Sequence, residues 1–201
     1  MQKLPANIPT ILVIFGATGD LMKEKIVPSL YHLFARKQLP GLFRVLGFSR
    51  ADLNDETFRD HVFSILKQKK ILAQKKKAEA FLELFHFQQG QFTTYGDYLT
   101  LGKHVGQIDG EWKACANKLY YIAAPPKLVR PIVQNLKRSK LSLPCGGDEG
   151  WARLLIEKPF GSDGKTAQEL ETVLAESFKE EQIYRIDHYL GKEMVQGILN
   201  F

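Results

Sequence analysis

Two early stretches of this sequence concentrate residue types suited to holding phosphate. The first is Gly16-Ala17-Thr18-Gly19-Asp20-Leu21, reached directly from the apolar run Ile11 to Phe15 and followed by residues with helical spacing, Lys23 among the first of them. A glycine turn between a strand and a helix lets backbone N–H groups approach a dinucleotide pyrophosphate at the positive end of the helix. The spacing is GxxGxxM, so the general GxGxxG fingerprint is met in part, and a tight turn without a ligand would use the same glycines. The second stretch is Gly47-Phe48-Ser49-Arg50, closing another apolar run. There, NAD-binding domains place an acid on the ribose 2′-hydroxyl and NADP-binding ones place an arginine near the 2′-phosphate. Arg50 favours NADP, since its guanidinium offers charge and paired donors to a phosphate, while nearby Asp52 keeps weaker NAD use open.

Two later stretches carry acid–base and hydrogen-bonding groups. Ile156-Glu157-Lys158-Pro159-Phe160-Gly161 puts a lysine at the end of a strand candidate, where parallel sheets bind ligands, before a proline able to adopt the cis form. Lys158 can then bond a substrate hydroxyl or a ribose. Arg185-Ile186-Asp187-His188-Tyr189-Leu190-Gly191-Lys192-Glu193 packs an acid, an imidazole, a phenol and an ammonium together. If helical, this stretch sets His188 and Lys192 on one face, two donors to one phosphate group. The other histidines, at 32, 61, 86 and 104, are assigned no chemistry.

These groups need a scaffold, and the apolar pattern supplies one. Strand candidates rich in β-branched or aromatic residues recur at Thr10 to Phe15, Phe43 to Phe48, Leu119 to Ala124, Arg153 to Ile156 and Ile183 to Arg185. Between them, Ile26/Leu30/Leu33, Phe58/Val62/Ile65, Leu128/Ile132/Val133/Leu136 and Leu170/Val173/Leu174 follow helical spacing. The alternation predicts an α/β fold, a doubly wound parallel sheet with helices on both faces. Asn54 before Asp55 and Glu56 is an N-cap, Pro125-Pro126 ends a strand, and Pro144 opens the clearest long loop.

At 201 residues and 44% hydrophobic, the chain has room for one such domain and little more. The net charge of +6 is local: residues 67 to 77, KQKKILAQKKK, hold six lysines and no acid, so the rest balances to zero. No aromatic residue interleaves that run, which predicts a solvated link between helices and no nucleic-acid surface. Cys115 and Cys145 show no CxxC or Cys/His spacing, so neither a disulfide framework nor a metal site is expected, and a reducing cytoplasm is the natural compartment. The run Ile11 to Phe15 is too short for a signal or membrane segment.

Taken in order, FGATGDLMKEKIVPSLYHLF, GFSR, YYIAAPP, LLIEKPFG and RIDHYLGKE resemble the successive signature blocks of the glucose-6-phosphate dehydrogenase family, from residue 10 onward. The EKP triplet alone is similar to that of another group of sugar oxidoreductases, but RIDHYLGKE after it sets that group aside. Met22, where the family usually has alanine, and Ala124 before the double proline are small departures.

The resemblance implies oxidation at C1 of glucose 6-phosphate with hydride transfer to NADP, on a Rossmann-like domain spanning 1–185 and the start of a substrate domain over 186–201. It implies a cofactor turn over Gly16 to Lys23, a 2′-phosphate contact at Arg50, and a cofactor cleft lined by Gln91 and Tyr121. Lys158 would touch sugar and cofactor, Lys25 would point to the substrate, and His188, Tyr189 and Lys192 would hold its phosphate. Asp187 would orient a general-base histidine. In the family that histidine comes downstream, in a larger β+α domain also used for homo-oligomerisation, and His188 is the last histidine of this sequence. The chain is therefore expected to be a truncated N-terminal portion without activity of its own, or else an NADP-binding module or remnant.

Overall fold

The computed structural model describes residues 9–72, 75–146, 150–161 and 163–186. In chain order it contains β1 (Thr10–Phe15), a π-helical turn (Met22–Ile26) running into α1 (Val27–Ala35), β2 (Phe43–Ser49) and α2 (Asp55–Gln68). Next come α3 (Lys75–Leu82), β3 (Phe85–Gln89), α4 (Tyr95–Trp112), β4 (Asn117–Ile122), α5 (Pro126–Arg138), β5 (Ala152–Glu157), α6 (Gly164–Ser177) and β6 (Ile183–Ile186). The strands form one sheet in the order β3-β2-β1-β4-β5-β6, with every neighbouring pair parallel.

The sequence TILVIF becomes the central strand β1, buried at every position, because both its neighbours and both its faces are covered. Alternate side chains face opposite sides. Ile11, Val13 and Phe15 join a core with Tyr98 and Leu101 of α4, Ile132 and Leu136 of α5, and Leu174 of α6. Leu12 and Ile14 join a second core with Val27 of α1, Phe58 and Val62 of α2, and Phe81 of α3. The doubly wound architecture read from the sequence is thus present.

Helix starts follow local chemistry. Asn54 Oδ1 accepts from Thr57 N at 2.9 Å while Asn54 N donates to Thr57 Oγ1 at 3.0 Å, a reciprocal cap worth about 1 kcal/mol. Asp163 and Thr166 repeat the device at α6. Pro126 opens α5, where its missing N–H leaves no bond unmade. The lysine run spans the end of α2 and the first turn of α3, as its charge pattern predicted.

Three expectations change. β3 and α4 were not foreseen: FHFQQ has apolar residues only at 85 and 87, and α4 contains Gly96, Gly102, Gly106 and Gly110, poor helix formers that mask the buried row Tyr98, Leu101, Val105, Ile108. β4 ends at Ile122, so Ala123 and Ala124 belong to the loop. Cys115 and Cys145 are joined by a disulfide, where none was expected: a separation of 30 residues gives no spacing signal, and the loop after α5 returns to the start of β4 to bring them together.

The outer strand β3 is met by side chains of α2. Phe87 N donates to Asp55 Oδ1 at 2.7 Å, Phe85 O accepts from Arg59 Nε at 2.9 Å, and Asp55 Oδ2 lies 2.7 Å from His86 Nδ1.

Candidate functional site

In a parallel sheet all strands end on the same side. The order reverses between β1 and β4, because the chain winds outward to β2 and β3 and then returns to β4 and β5, so the loops diverge and leave a crevice there. Phe15 pairs with both Phe48 and Ile122, which sets the ends of β1, β2 and β4 level. A cleft of about 450 Å³ opens on those ends.

Its floor is the glycine turn. Gly16 has φ of +92°, and a Cβ there would sit 2.3 Å from the Ala123 carbonyl oxygen, so only glycine fits between the two loops. Gly16 N donates to Phe48 O at 2.9 Å and Gly19 N to Gly16 O at 3.0 Å, closing the turn. Ala123 N donates to Phe15 O at 2.9 Å and holds the opposite loop against it. A turn with glycine at 16 and 19, at the start of a helical segment, matches what a pyrophosphate needs.

One end of the cleft is polar. Ser49 Oγ accepts from Thr18 Oγ1 and from Ala51 N, both at 3.3 Å, which fixes two hydroxyls beside Arg50. Arg50 is exposed and has no hydrogen bond or ion pair among the described residues. Gln91 also lines the cleft, its loop anchored by Gln91 N donating to Asp97 Oδ2 at 2.7 Å. The other wall is apolar, made by Phe92, Pro125 and Leu128. Phe92 is pinned from below: its carbonyl accepts from Tyr98 Oη at 2.9 Å and from Asn135 Nδ2 at 3.2 Å. Burial raises the Tyr98 phenol well above its ordinary range, so it stays a donor.

The cleft therefore gathers Gly16, Thr18, Gly19, Arg50 and Gln91 from the sequence-derived set. Ala17 is buried, while Asp20, Leu21, Lys23 and Asp52 do not line the cleft. Lys23 acts instead on His61 of α2, whose imidazole is held below its usual range by burial first and by that charge second.

Tyr121 is placed apart from Gln91, in a second cavity of about 300 Å³ that it shares with Lys25, Leu30 and Leu155. The reason is strand alternation: Tyr120 faces α4 and α5, so Tyr121 faces the α1 side. Tyr121 Oη donates to the Glu157 carboxylate, and burial followed by this bond pushes the phenol far above its ordinary range. Lys158 is the exposed residue next after Glu157, joined to Pro159 by a cis peptide. Asp187, His188, Tyr189 and Lys192 lie outside the described residues.

Sequence reasoning missed Ser49, Phe92 and Lys127 as cleft residues. The signal for Lys127 was its place two residues after Pro125, at the end of a strand beside the reversal of order. Among the described residues no helix is long and apolar enough to cross a membrane.

Known proteins resemble this chain over nearly all its length. Glucose-6-phosphate 1-dehydrogenase of Schizosaccharomyces pombe is 40% identical over 190 residues, covering 94% of this chain and 37% of that protein. The Caenorhabditis elegans protein of the same name is 42% identical over 202 residues, covering 99% and 37%. A solved structure described as glucose-6-phosphate dehydrogenase in complex with its substrate glucose-6-phosphate superposes with a TM-score of 0.83 at 33% identity, over 98% of this chain and 40% of that one. The glucose-6-phosphate 1-dehydrogenase structure from Mycobacterium avium gives 0.80 at 29% identity, over 97% and 40%. The chain thus spans about two fifths of the length of these relatives. The family model for the NAD binding domain of glucose-6-phosphate dehydrogenase matches residues 13–197, and the chain belongs to that family.

Proposed function

We propose that the cleft at the reversal of strand order binds NADP, and that the chain is the dinucleotide-binding portion of an enzyme oxidising glucose 6-phosphate at C1 to the lactone. The observation that carries this reading is the pairing of the turn that opens at Gly16 and carries Thr18 with Ser49 and Arg50 at the end of β2. When bound, NADP supplies a hydride acceptor at C4 of its nicotinamide. The turn takes the pyrophosphate on the N–H groups of Ala17 and Thr18, since those of Gly16 and Gly19 are bonded to Phe48 O and Gly16 O. Arg50 meets the 2′-phosphate with the hydroxyls of Thr18 and Ser49, and Phe92 with Leu128 forms an apolar slot of the kind an adenine fills.

Lys25 and Lys158 face the sugar in this reading, while His188, Tyr189 and Lys192 hold its phosphate. Asp187 orients a histidine that removes the C1 hydroxyl proton, and no histidine follows His188 in the sequence. Residues 1–185 form the cofactor domain and 186–201 begin the substrate domain. Homo-oligomerisation falls to the part of the relatives that this chain does not span, and NAD is a weaker alternative ligand.

Calorimetric titration with NADP and NAD tests the reading. NADP is expected to bind more tightly, and Arg50→Ala to narrow the gap about tenfold. An unchanged ratio removes Arg50 from the site.

A further inference from the structure

The cleft at the reversal of strand order is one-sided in charge. It is lined by two cations, Arg50 and Lys127, and by no aspartate or glutamate. Lys127 reaches it from the first turn of α5, directly after Pro125 and Pro126, which fix the backbone there. A cation in the first turn faces the positive end of the helix, a placement that gains nothing locally. No acid lies in that turn, and Lys127 makes no hydrogen bond or ion pair among the described residues.

We propose that Lys127 is a second phosphate-binding cation of this cleft, sharing the 2′-phosphate of NADP with Arg50 and so setting preference for NADP over NAD. The inference rests on the dinucleotide reading above. A phosphate monoester near neutral pH carries close to two negative charges, and one guanidinium neutralises only one of them. The pyrophosphate is already served by the amides of the Gly16 turn, on the floor of the cleft. Arg50 and Lys127 stand on loops after different strands, β2 and β4, and both border the apolar slot of Phe92 and Leu128. The 2′-phosphate is the dianion left for this pair.

The test is titration of the full chain and of its Lys127→Gln, Lys127→Arg and Arg50→Gln variants with NADP and with NAD at two salt concentrations. Lys127→Gln is expected to weaken NADP about five- to tenfold and NAD less than twofold, with a flatter salt dependence for NADP. Lys127→Arg is expected to restore the preference, and unfolding curves should overlay because the side chain is exposed. Equal weakening of both ligands would assign Lys127 to the shared pyrophosphate and overturn the proposal. So would a wild-type preference that Lys127→Gln leaves intact, which overturns this inference alone. A wild-type chain that binds NADP no more tightly than NAD would overturn the reading of the cleft and this inference with it.

Discussion

The same substitution, glycine to alanine, should have opposite effects at Gly16 and Gly106. At Gly16 the backbone sits at φ +92°, and the added methyl would lie 2.3 Å from the carbonyl oxygen of Ala123 and 2.9 Å from its carbon. The oxygen contact falls short of an ordinary one by roughly 1 Å. The loop cannot simply retreat, because Ala123 N is bonded to Phe15 O at 2.9 Å. Adding about 1–3 kcal/mol for the backbone conformation to a similar figure for overpacking gives a loss of about 2–6 kcal/mol. That is a large share of a typical domain stability of about 5–15 kcal/mol.

Gly106 lies in the interior of α4, exposed, and a methyl there meets nothing within 4 Å. Alanine should stabilise α4 by about 0.5–1 kcal/mol through helix propensity alone. Urea unfolding followed by far-UV circular dichroism, with both variants beside the wild type, separates the two cases, and NADP titration of Gly16→Ala reads the site. A Gly16→Ala midpoint equal to wild type, or a Gly106→Ala protein that loses as much as Gly16→Ala, would refute the reasoning.

Other outcomes are checked by the same unfolding assay. Lys118 Nζ donates to Asp109 Oδ2 at 2.6 Å with the two side chains 5% and 18% exposed, so Asp109→Asn should strand a buried ammonium and cost about 2–4 kcal/mol. A loss under about 1 kcal/mol would mean that Lys118 escapes to water. Tyr120 Oη is buried with no partner among the described residues, and Tyr120→Phe should raise stability by about 1 kcal/mol; a loss would reveal a bond to that hydroxyl. His61, His86 and His104 are all held below the usual imidazole range, in each case chiefly by burial, with Asp55 opposing the shift at His86 and His104. The unfolded chain therefore takes up these protons first, so their contribution is full above about pH 6.5 and is lost as pH falls below it. Midpoints should drop from pH 7.5 to 5.5 and His104→Gln should flatten the slope, whereas a flat wild-type profile would exclude the effect.

What the sequence disclosed depended on how strongly each segment committed to a pattern. β1 is a continuous apolar run ending in Gly16, and β2 is a largely apolar one, interrupted by Arg44, ending in Ser49-Arg50, so strand, turn and ligand residues could be read together. β3 has two apolar residues in five, and its identity comes from pairing with β2 rather than from composition. α4 was hidden by its glycines for the same reason: burial of Tyr98, Leu101, Val105 and Ile108 outweighs local propensity. In the site, the floor was legible because it needs special residues at special backbone angles. The wall was not, since Phe92 and Lys127 are ordinary residues whose role follows from which loops the sheet brings side by side. Tyr121 shows the converse: a residue can sit on a strand that borders the cleft and still face the other side.

The contacts that α2 makes with β3 bear on self-association. An outer strand exposes the carbonyl of one residue and the amide two positions later, and a parallel neighbour would bond that pair. Here Phe85 O and Phe87 N–H are taken by Arg59 and Asp55, which sit four residues apart on one helix. The helix takes the place of a neighbouring strand at that point, with a donor for the carbonyl and an acceptor for the amide. An unpaired edge invites strands of other molecules to add on, which is how sheets extend into aggregates. At this pair of groups the vacancy is filled from within the chain, so another strand could add there only by displacing Arg59 and Asp55.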